Sequence, residues 1–545
     1  MRTSRLLFFI IYLLLSCSLY SIPFDMILTG DPVLEDLRFL SIESGNSLLS
    51  FSPPLAPAEI GTFLDSLDIS LLSVPALEAY SRIKSRIAPA AQLSFSSENF
   101  SVFFNINSTI EARVRFNPEI SWYPEYKKIP SMLSVPIRFF FGGSAELYFE
   151  PALVIDPEYY GNADYFGLNI PGEFRQIDMT IPLRAFAAAG GSWWNFQLGR
   201  DRLSFGTGIS GNLAVSDNPA YYEFARFSFF SEYFKYSVLV NQMPLTITAD
   251  IYGKPLDNLV PDRTVHRYLY LHRLDLNLFK KITLSLTEGV MAGNSPLEIR
   301  YLNPFMVFHS MFSFWEYPQW DDQGASAGSG DMNGSLFAAE LNWNIMKSLT
   351  VYGQFVMNQF ATPYKLEQWP NQPPNGLGYL AGINYSHSFS GWGSVFYLEF
   401  IYTDPYLYMN PSPFASLIHM RNLGYSPDRH QYSYIGFPRD AIVCTLGARF
   451  FDRDYLILTG EFSWQSRGEH TIVWDWEKTR EAWNENTPSG TAQNLFIAGL
   501  GAEWKILPYL VLKGSLSAAF AFNNNHVSGS HAAGGQVAFS AGFRY

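Results

Sequence analysis

From about residue 91 onward, hydrophobic side chains recur at every second position, and this limits the folds open to the chain more than any other feature. The clearest case places Phe104, Ile106, Ile110, Ala112, Val114 and Phe116 on one face, broken only by Ser108. The other face carries Asn105, Asn107, Thr109, Glu111, Arg113 and Arg115. Such alternation is the mark of a strand with one apolar side. A soluble sandwich buries that side against a second sheet. A membrane barrel turns it to lipid and keeps the charges in the lumen.

The connections favour the barrel. Leu274–Leu278 turns at Phe279, Lys280 and Lys281 into Ile282–Leu286, and Leu341–Ile345 turns at Met346, Lys347 and Ser348 into Leu349–Gly353. Val443–Phe451 turns at Asp452, Arg453 and Asp454, and Ala502–Ile506 turns at Leu507 and Pro508. Between these hairpins lie long polar stretches, about 361–377, 405–440, 466–492 and 523–534. Tight and long connections alternate, as they do in outer-membrane barrels. The final stretch, with Val537, Phe539, Ala541, Phe543 and Tyr545 at every second position, is similar to a C-terminal barrel strand. Counting back from it puts every tight turn, including 189–191, 231–233 and Gly142-Gly143, on one side of the membrane. The count reaches about 18 strands, an even number, which predicts both termini in the periplasm. The stretch 289–335 is the weak point, where a further hairpin would change the count.

Composition agrees. Charged residues make up 16%, against roughly 25% in an average soluble domain. Aromatic residues make up 17%, enough for interfacial girdles. Acidic residues (49) outnumber basic ones (37), and no basic cluster occurs, which argues against nucleic-acid binding. No run of about 18 apolar residues follows residue 21, so no helix is expected to span a membrane.

Residues 1–21 read as a signal peptide: Arg2 and Arg5, an apolar run from Leu6 to Leu15, then Ser16, Ser18 and Ser21. Leu14 to Cys17 also forms a loose lipobox, so lipidation of Cys17 stays open. If Cys17 leaves with the signal, Cys444 is alone and no intramolecular disulfide is possible. Residues 22–90 show helical spacing instead. Val33, Leu37 and Leu40 make one stripe, and Ile60, Phe63, Leu64 and Leu67 a second. A third runs through Leu77, Tyr80, Ile83 and Ile87, with Ser73 as its N-cap. We expect about three short helices, forming a plug or a periplasmic unit, followed by a barrel over 91–545.

Catalytic and cofactor motifs find no support. Gly206 to Gly211 matches G-x-G-x-x-G, but the preceding stretch alternates and no helix follows, so the glycines are expected to serve a bend or a close backbone approach. Ser326, in G-x-S-x-G, sits in loop composition rather than on a strand-to-helix elbow. The nine histidines are scattered, and His526 and His531 in one loop read as solvated. No enzyme activity, cofactor or metal is predicted. Loop 466–492 carries Trp474, Asp475, Trp476, Glu477 and Trp483. Rings beside carboxylates suit carbohydrate, although a place in the interfacial girdle or the loop core is the more usual reason for such tryptophans. Arg200, Asp201 and Arg202 are expected to form a charge network inside the lumen.

Several short motifs resemble the Wzi-like capsule-assembly family. They are Ser52–Ile60 in the helical segment, Gly199–Gly206 with Gly211, Asn212 and Leu213 after it, Tyr301–Phe305 followed by His309, and Asp331–Gly334 before the Leu341 hairpin. Phe205 stands where the family more usually has Trp. The resemblance implies an 18-stranded barrel plugged by an N-terminal helical bundle, and a lectin-like role in holding exported polysaccharide at the surface. The expected partners are outer-membrane lipid, surface polysaccharide and the insertion machinery, for a monomeric protein. A channel or transporter for small solutes is the alternative.

Overall fold

A computed structural model describes residues 24–87, 94–97, 100–117, 120, 129–161, 165–180, 182–246, 264–293, 295–308, 333–360, 375–410, 413–423, 429–452, 455–472 and 485–545. Among them, one antiparallel sheet of 23 hydrogen-bonded segments closes on itself. Three pairs of segments run on as single strands: Phe100–Phe104 with Asn107–Arg115 (β1), Leu133–Ser134 with Ile137–Phe141 (β2), and Ala145–Glu150 with Ala152–Leu153 (β3). Then come β4 (Arg184–Gly190), β5 (Trp194–Asp201), β6 (Tyr222–Phe230), β7 (Phe234–Gln242), β8 (Arg267–Leu278) and β9 (Ile282–Gly293). They are followed by β10 (Asn333–Met346), β11 (Leu349–Gln359), β12 (Gly376–Phe389), β13 (Trp392–Thr403) and β14 (Ala441–Asp452). The ring ends with β15 (Leu456–Arg467), β16 (Gln493–Leu507), β17 (Leu510–Phe522) and β18 (His531–Arg544). Ser94–Ser97 and Phe166–Leu168 patch gaps against β1. The ring thus has eighteen strands, and β18 closes it against β1, with Val537 opposite Val114. Because β9 pairs directly with β10, the intervening stretch adds no strand to the ring.

Sidedness follows the alternation. On β1, Ile110 and Val114 are exposed, as is Phe116 just past its end, while Arg113 and Arg115 are buried. Arg113 donates to the Tyr160 carbonyl and lies over the Tyr160 ring. On β16 and β17, Leu500, Trp504, Leu516 and Phe520 point outward. An apolar outer face with buried charges inside is stable only where hydrocarbon replaces water, and closure leaves no unpaired edge there. The described helices include none long and apolar enough to cross a membrane.

Tight turns gather at one end of the barrel and long connections at the other. In the turn between β8 and β9, Phe279 and Lys280 both adopt positive φ (56° and 57°). Positive φ at both central residues is the conformation of a type I′ turn, closed here by the Lys281 N–H on the Leu278 carbonyl and obtained without glycine.

Three helices fill the short-turn end: α1 (Val33–Ser44), α2 (Pro57–Asp65) and α3 (Val74–Ile87). Ser73 caps α3, its hydroxyl accepting the Ala76 N–H at 3.3 Å. The buried stripe of α3 runs through Ala76, Ala79, Ile83 and Ile87, one position off the expected Leu77 and Tyr80. Small alanines let α3 approach α1 closely. The helical core includes Val395 and Phe451 from the barrel wall, with Phe39 edge-on to Phe451 at 4.8 Å. Main-chain bonds tie the helices to the tight turns: Ser348 N–H to the Ile42 carbonyl, and Ser47 N–H to the Lys280 carbonyl, both 2.8 Å.

Candidate functional site

Three layers occupy the lumen. The first is the helical plug, whose polar groups meet inward-facing side chains of the wall. Lys235 Nζ lies 2.6 Å from Glu59 Oε2, both fully or nearly fully buried. Ser50 donates to Asp275 at 2.9 Å, and Arg226 donates to the carbonyls of Ser52 and Pro54. Arg273 bridges Asp275 and Glu340 on the same wall.

The second layer is the connection 202–221, which turns inward and crosses the lumen. Its tip donates the N–H groups of Ile209 and Ser210 to the two Glu399 oxygens, each at 2.8 Å, on the far wall. Gln354 accepts the Leu213 N–H at 2.9 Å and donates to Asn212. The G-x-G-x-x-G pattern falls here. Gly206 and Gly211 take φ of 115° and 147°. A Cβ on Gly206 would lie 1.9 Å from Gln354 Nε2, and one on Gly208 would lie 2.3 Å from the Gly211 carbonyl oxygen. The motif therefore serves close backbone approach. Phe205 is buried in this loop beneath the Arg273 guanidinium, 5.0 Å from its ring.

The third layer is a lid from the described residues between 404 and 440, including the hairpin Ile418–Asn422 with His430–Tyr434. Arg267 holds it from below, donating to the Ser416 and Ile418 carbonyls at 2.8 and 2.5 Å. Arg421 pairs with Asp178 at 2.9 Å and Arg429 with Asp156 at 3.2 Å, joining the lid to connection 154–183. His419 sits between the Tyr221 and Tyr222 rings. Burial, then the charges of Arg267, Arg421 and Arg200, push its pKa from 6.5 down to about 3.

Arg439 fixes the base of the next connection, donating to the Thr471 carbonyl (2.7 Å) and the Pro405 carbonyl (2.6 Å). Asp440 accepts from Ser489 and from the His470 N–H, and His470 Nε2 lies 2.6 Å from Glu485 Oε2. The two stems of this loop are thus clamped together. Trp474, Asp475, Trp476, Glu477 and Trp483, between the stems, lie outside the described residues, as do Cys17, His309, Trp315, Trp320, Ser326 and Trp369.

Within the Arg200–Arg202 run, the Arg202 N–H donates to Asp201 Oδ1 at 2.7 Å, while Arg200 pairs elsewhere. Strand alternation puts Asp201 in the wall's buried face, where Arg184 Nε reaches it at 3.0 Å. Arg200 points to the opposite face, stacks on Tyr221 and bonds Glu223, its direct cross-strand partner, at 2.6 Å. Arg202 Nε donates to the Ala220 carbonyl. Neighbours in a strand face opposite ways, so Arg200 and Asp201 find their ionic partners, Glu223 and Arg184, on different neighbouring strands. Sequence reasoning missed Glu399, Gln354, Arg267 and Arg439. The first two carried a signal, being polar residues on apolar strands.

Space remains on one side. A cavity of about 440 Å³ lies between plug and inner connection, lined by Arg38, Asp217, Tyr397, Arg449 and Thr459 among others. A second, of about 340 Å³, continues from Arg449 and Thr459 along Glu503, Lys513, Ser515 and Ser540. Among the described residues, no three His, Cys, Asp or Glu side chains converge as metal ligands. His526 bonds the Thr491 carbonyl, and His531 lies edge-on to Phe522.

The family model for capsule assembly protein Wzi matches residues 127–415, from β2 through the inner connection into the lid. The chain belongs to the Wzi capsule-assembly family. Its fold is that of Wzi from Escherichia coli, described as a carbohydrate-binding β-barrel of the outer membrane involved in group 1 capsule assembly. The two align with TM-score 0.56 and 14% identity, over 94% of this chain and 98% of that one. Pseudomonas aeruginosa OprD aligns at TM-score 0.39 and 7% identity, over 82% of this chain and 95% of its own. The outer-membrane channel DcaP of Acinetobacter baumannii aligns at 0.35 and 9%, over 84% and 100%. No curated protein sequence matches. The family and the fold place the chain in the outer membrane as a plugged antiparallel barrel.

Proposed function

We propose that this protein binds surface polysaccharide at the long-connection face and helps assemble or retain it there, as a non-enzymatic, lectin-like barrel. The family match over 127–415 carries the reading, because it covers the inner connection and reaches the lid. The Escherichia coli relative's description as carbohydrate-binding supports it. In this reading the long connections face outward, and both ends of the chain lie on the periplasmic side, next to the tight turns.

The glycan contact is assigned to Trp474, Asp475, Trp476, Glu477 and Trp483. Indole rings stack on the apolar faces of sugars, and carboxylates accept from their hydroxyls. The clamped stems at His470–Glu485 and Asp440–Ser489 support this, since a fixed base lowers the entropy lost when a loop engages a polymer. The three layers across the lumen favour this reading over a diffusion channel.

The test is a deletion strain in which cell-associated and shed polysaccharide are measured separately. We expect the cell-associated share to fall and the shed share to rise, with the total unchanged. Retention equal to the parent strain would overturn the reading. Complementation with Trp474→Ala, Trp476→Ala and Trp483→Ala combined is expected to restore the barrel to the membrane but not the retained glycan.

A further inference from the structure

The connection after β9 leaves the long-connection end of the barrel. Over residues 295–308 it folds back down the outer wall across β7, β8 and β9. On β8, Arg273 and Asp275 face the lumen, so Tyr270 and His272 face outward by alternation. Outward side chains elsewhere on the ring stay open, as Leu446, Leu500 and Leu516 do, yet Tyr270 and His272 are 0% and 3% exposed. Tyr301 and Phe308 cover them, with ring centroids 4.9 Å from Tyr270 and 4.2 Å from His272 respectively.

The covered patch lies at membrane depth. A spanning strand takes about 9–11 residues, and any such window within the 12 residues of β8 contains His272. The same holds for Glu288 in the 12 residues of β9. Irregular chain at that depth requires partners for its backbone polar groups, and an ionisable residue there calls for a named partner. Outward-pointing side chains supply such partners to several groups of the segment. The Glu298 N–H donates to Tyr270 Oη at 2.7 Å, and the Phe308 N–H to Glu288 Oε1 at 3.2 Å. Tyr236 donates to the Pro304 carbonyl at 2.7 Å. The His272 ring nitrogens lie 3.2 and 3.1 Å from the Met306 and Tyr301 carbonyl oxygens. Within the segment, the N–H groups of Tyr301, Asn303 and Met306 bond local carbonyls, and Phe305 N–H bonds Asn303 Oδ1. Pro296 and Pro304 have no N–H to satisfy. The segment's two charged side chains, Glu298 and Arg300, pair with each other at 2.5 Å.

What remains on the outer side is an apolar ridge. Phe305 is 92% exposed and Ile299 78%, with Leu297 and Val307 beside them. We propose that residues 295–308 form a membrane-embedded flap, latched to the barrel by Tyr236, Tyr270, His272 and Glu288, whose ridge contacts lipid acyl chains. The ridge continues the lipid-facing wall around it. A separate role thus falls to Tyr301–Phe305, a stretch that the glycan reading leaves unused.

The test uses the full chain with Cys17→Ser and Cys444→Ser, carrying a nitroxide at Phe305→Cys, reconstituted in phosphatidylcholine bilayers. Power-saturation spin resonance compares collisions with dissolved oxygen and with a water-soluble nickel chelate. Leu516→Cys on the outer wall is the lipid reference, and Val527→Cys in a long connection is the water reference. We expect the Phe305→Cys label to match Leu516→Cys, with oxygen collisions dominant. Dominant nickel collisions, as at Val527→Cys, would overturn the proposal. So would dipolar broadening that disappears on dilution with unlabelled protein, since a second copy would then cover the ridge. Adding His272→Ala is expected to speed the label's motion without changing the barrel's circular dichroism; unchanged motion overturns the latch. None of these readouts depends on glycan retention, so failure here leaves the proposed function standing.

Discussion

Lys235 holds a cation inside the wall with no exposed surface, and the company of Glu59 does most to make that tolerable. The carboxylate has other duties, accepting the Ala56 N–H at the start of α2 and a bond from Asn195. Removing one partner of such a pair strands the other charge, at a cost of about 3–5 kcal/mol. Glu59→Ala is therefore expected to loosen the plug and expose residues 24–87 to limited proteolysis, whereas Glu59→Leu with Lys235→Met restores much of the resistance. His419 gives a pH signature. In the folded lid it refuses a proton until about pH 3, while the unfolded chain takes one near 6.5. The unfolded state binds more protons between these values, so stability falls as pH drops through that window. His419→Asn should flatten this part of the curve in thermal unfolding followed from pH 7 to pH 4; an unchanged slope would count against the assignment. Neither residue's role is legible in sequence. Glu59 and Lys235 stand 176 positions apart, and nothing local marks their encounter.

The strands are the most legible elements, because lipid on one side and buried polar groups on the other impose the alternation directly. Turns are readable for a related reason: a two-residue reversal leaves little freedom in length. The helical segment is readable in its stripes, with α3 shifted by one position because alanines, not the larger Leu77, face α1. The inner connection 202–221 is not readable, since its partners Glu399 and Gln354 lie on distant strands and it has no period. Its glycines do announce close approach. Gly206→Val is expected to displace Gln354 and undo the crossing, lowering the unfolding temperature by several degrees in a melt followed by intrinsic fluorescence. Deleting residues 24–87 should raise conductance in planar bilayers above that of the full chain, which is expected to conduct little. The rise should be partial, because the inner connection and the lid stay behind.

At the scale of the whole molecule, the plug is lopsided. It grips the wall through Arg226, Lys235, Asp275 and Asn342 on one side, and leaves the side lined by Glu503, Lys513 and Ser515 open as a cavity. Ring size and parity follow from the sequence because closure demands an even, complete set of pairings. The lopsidedness does not, because small residues such as Ser515 and Ala538 read the same whether something fills the space before them or not. The seam has a further consequence. Arg115 and Gln536, which touch across it, are 421 positions apart, so no local folding step can join them. Until the late strand arrives, the early one offers bare amide and carbonyl groups to whatever is near. An open cylinder therefore carries a bare edge of its own until its last strand pairs with its first.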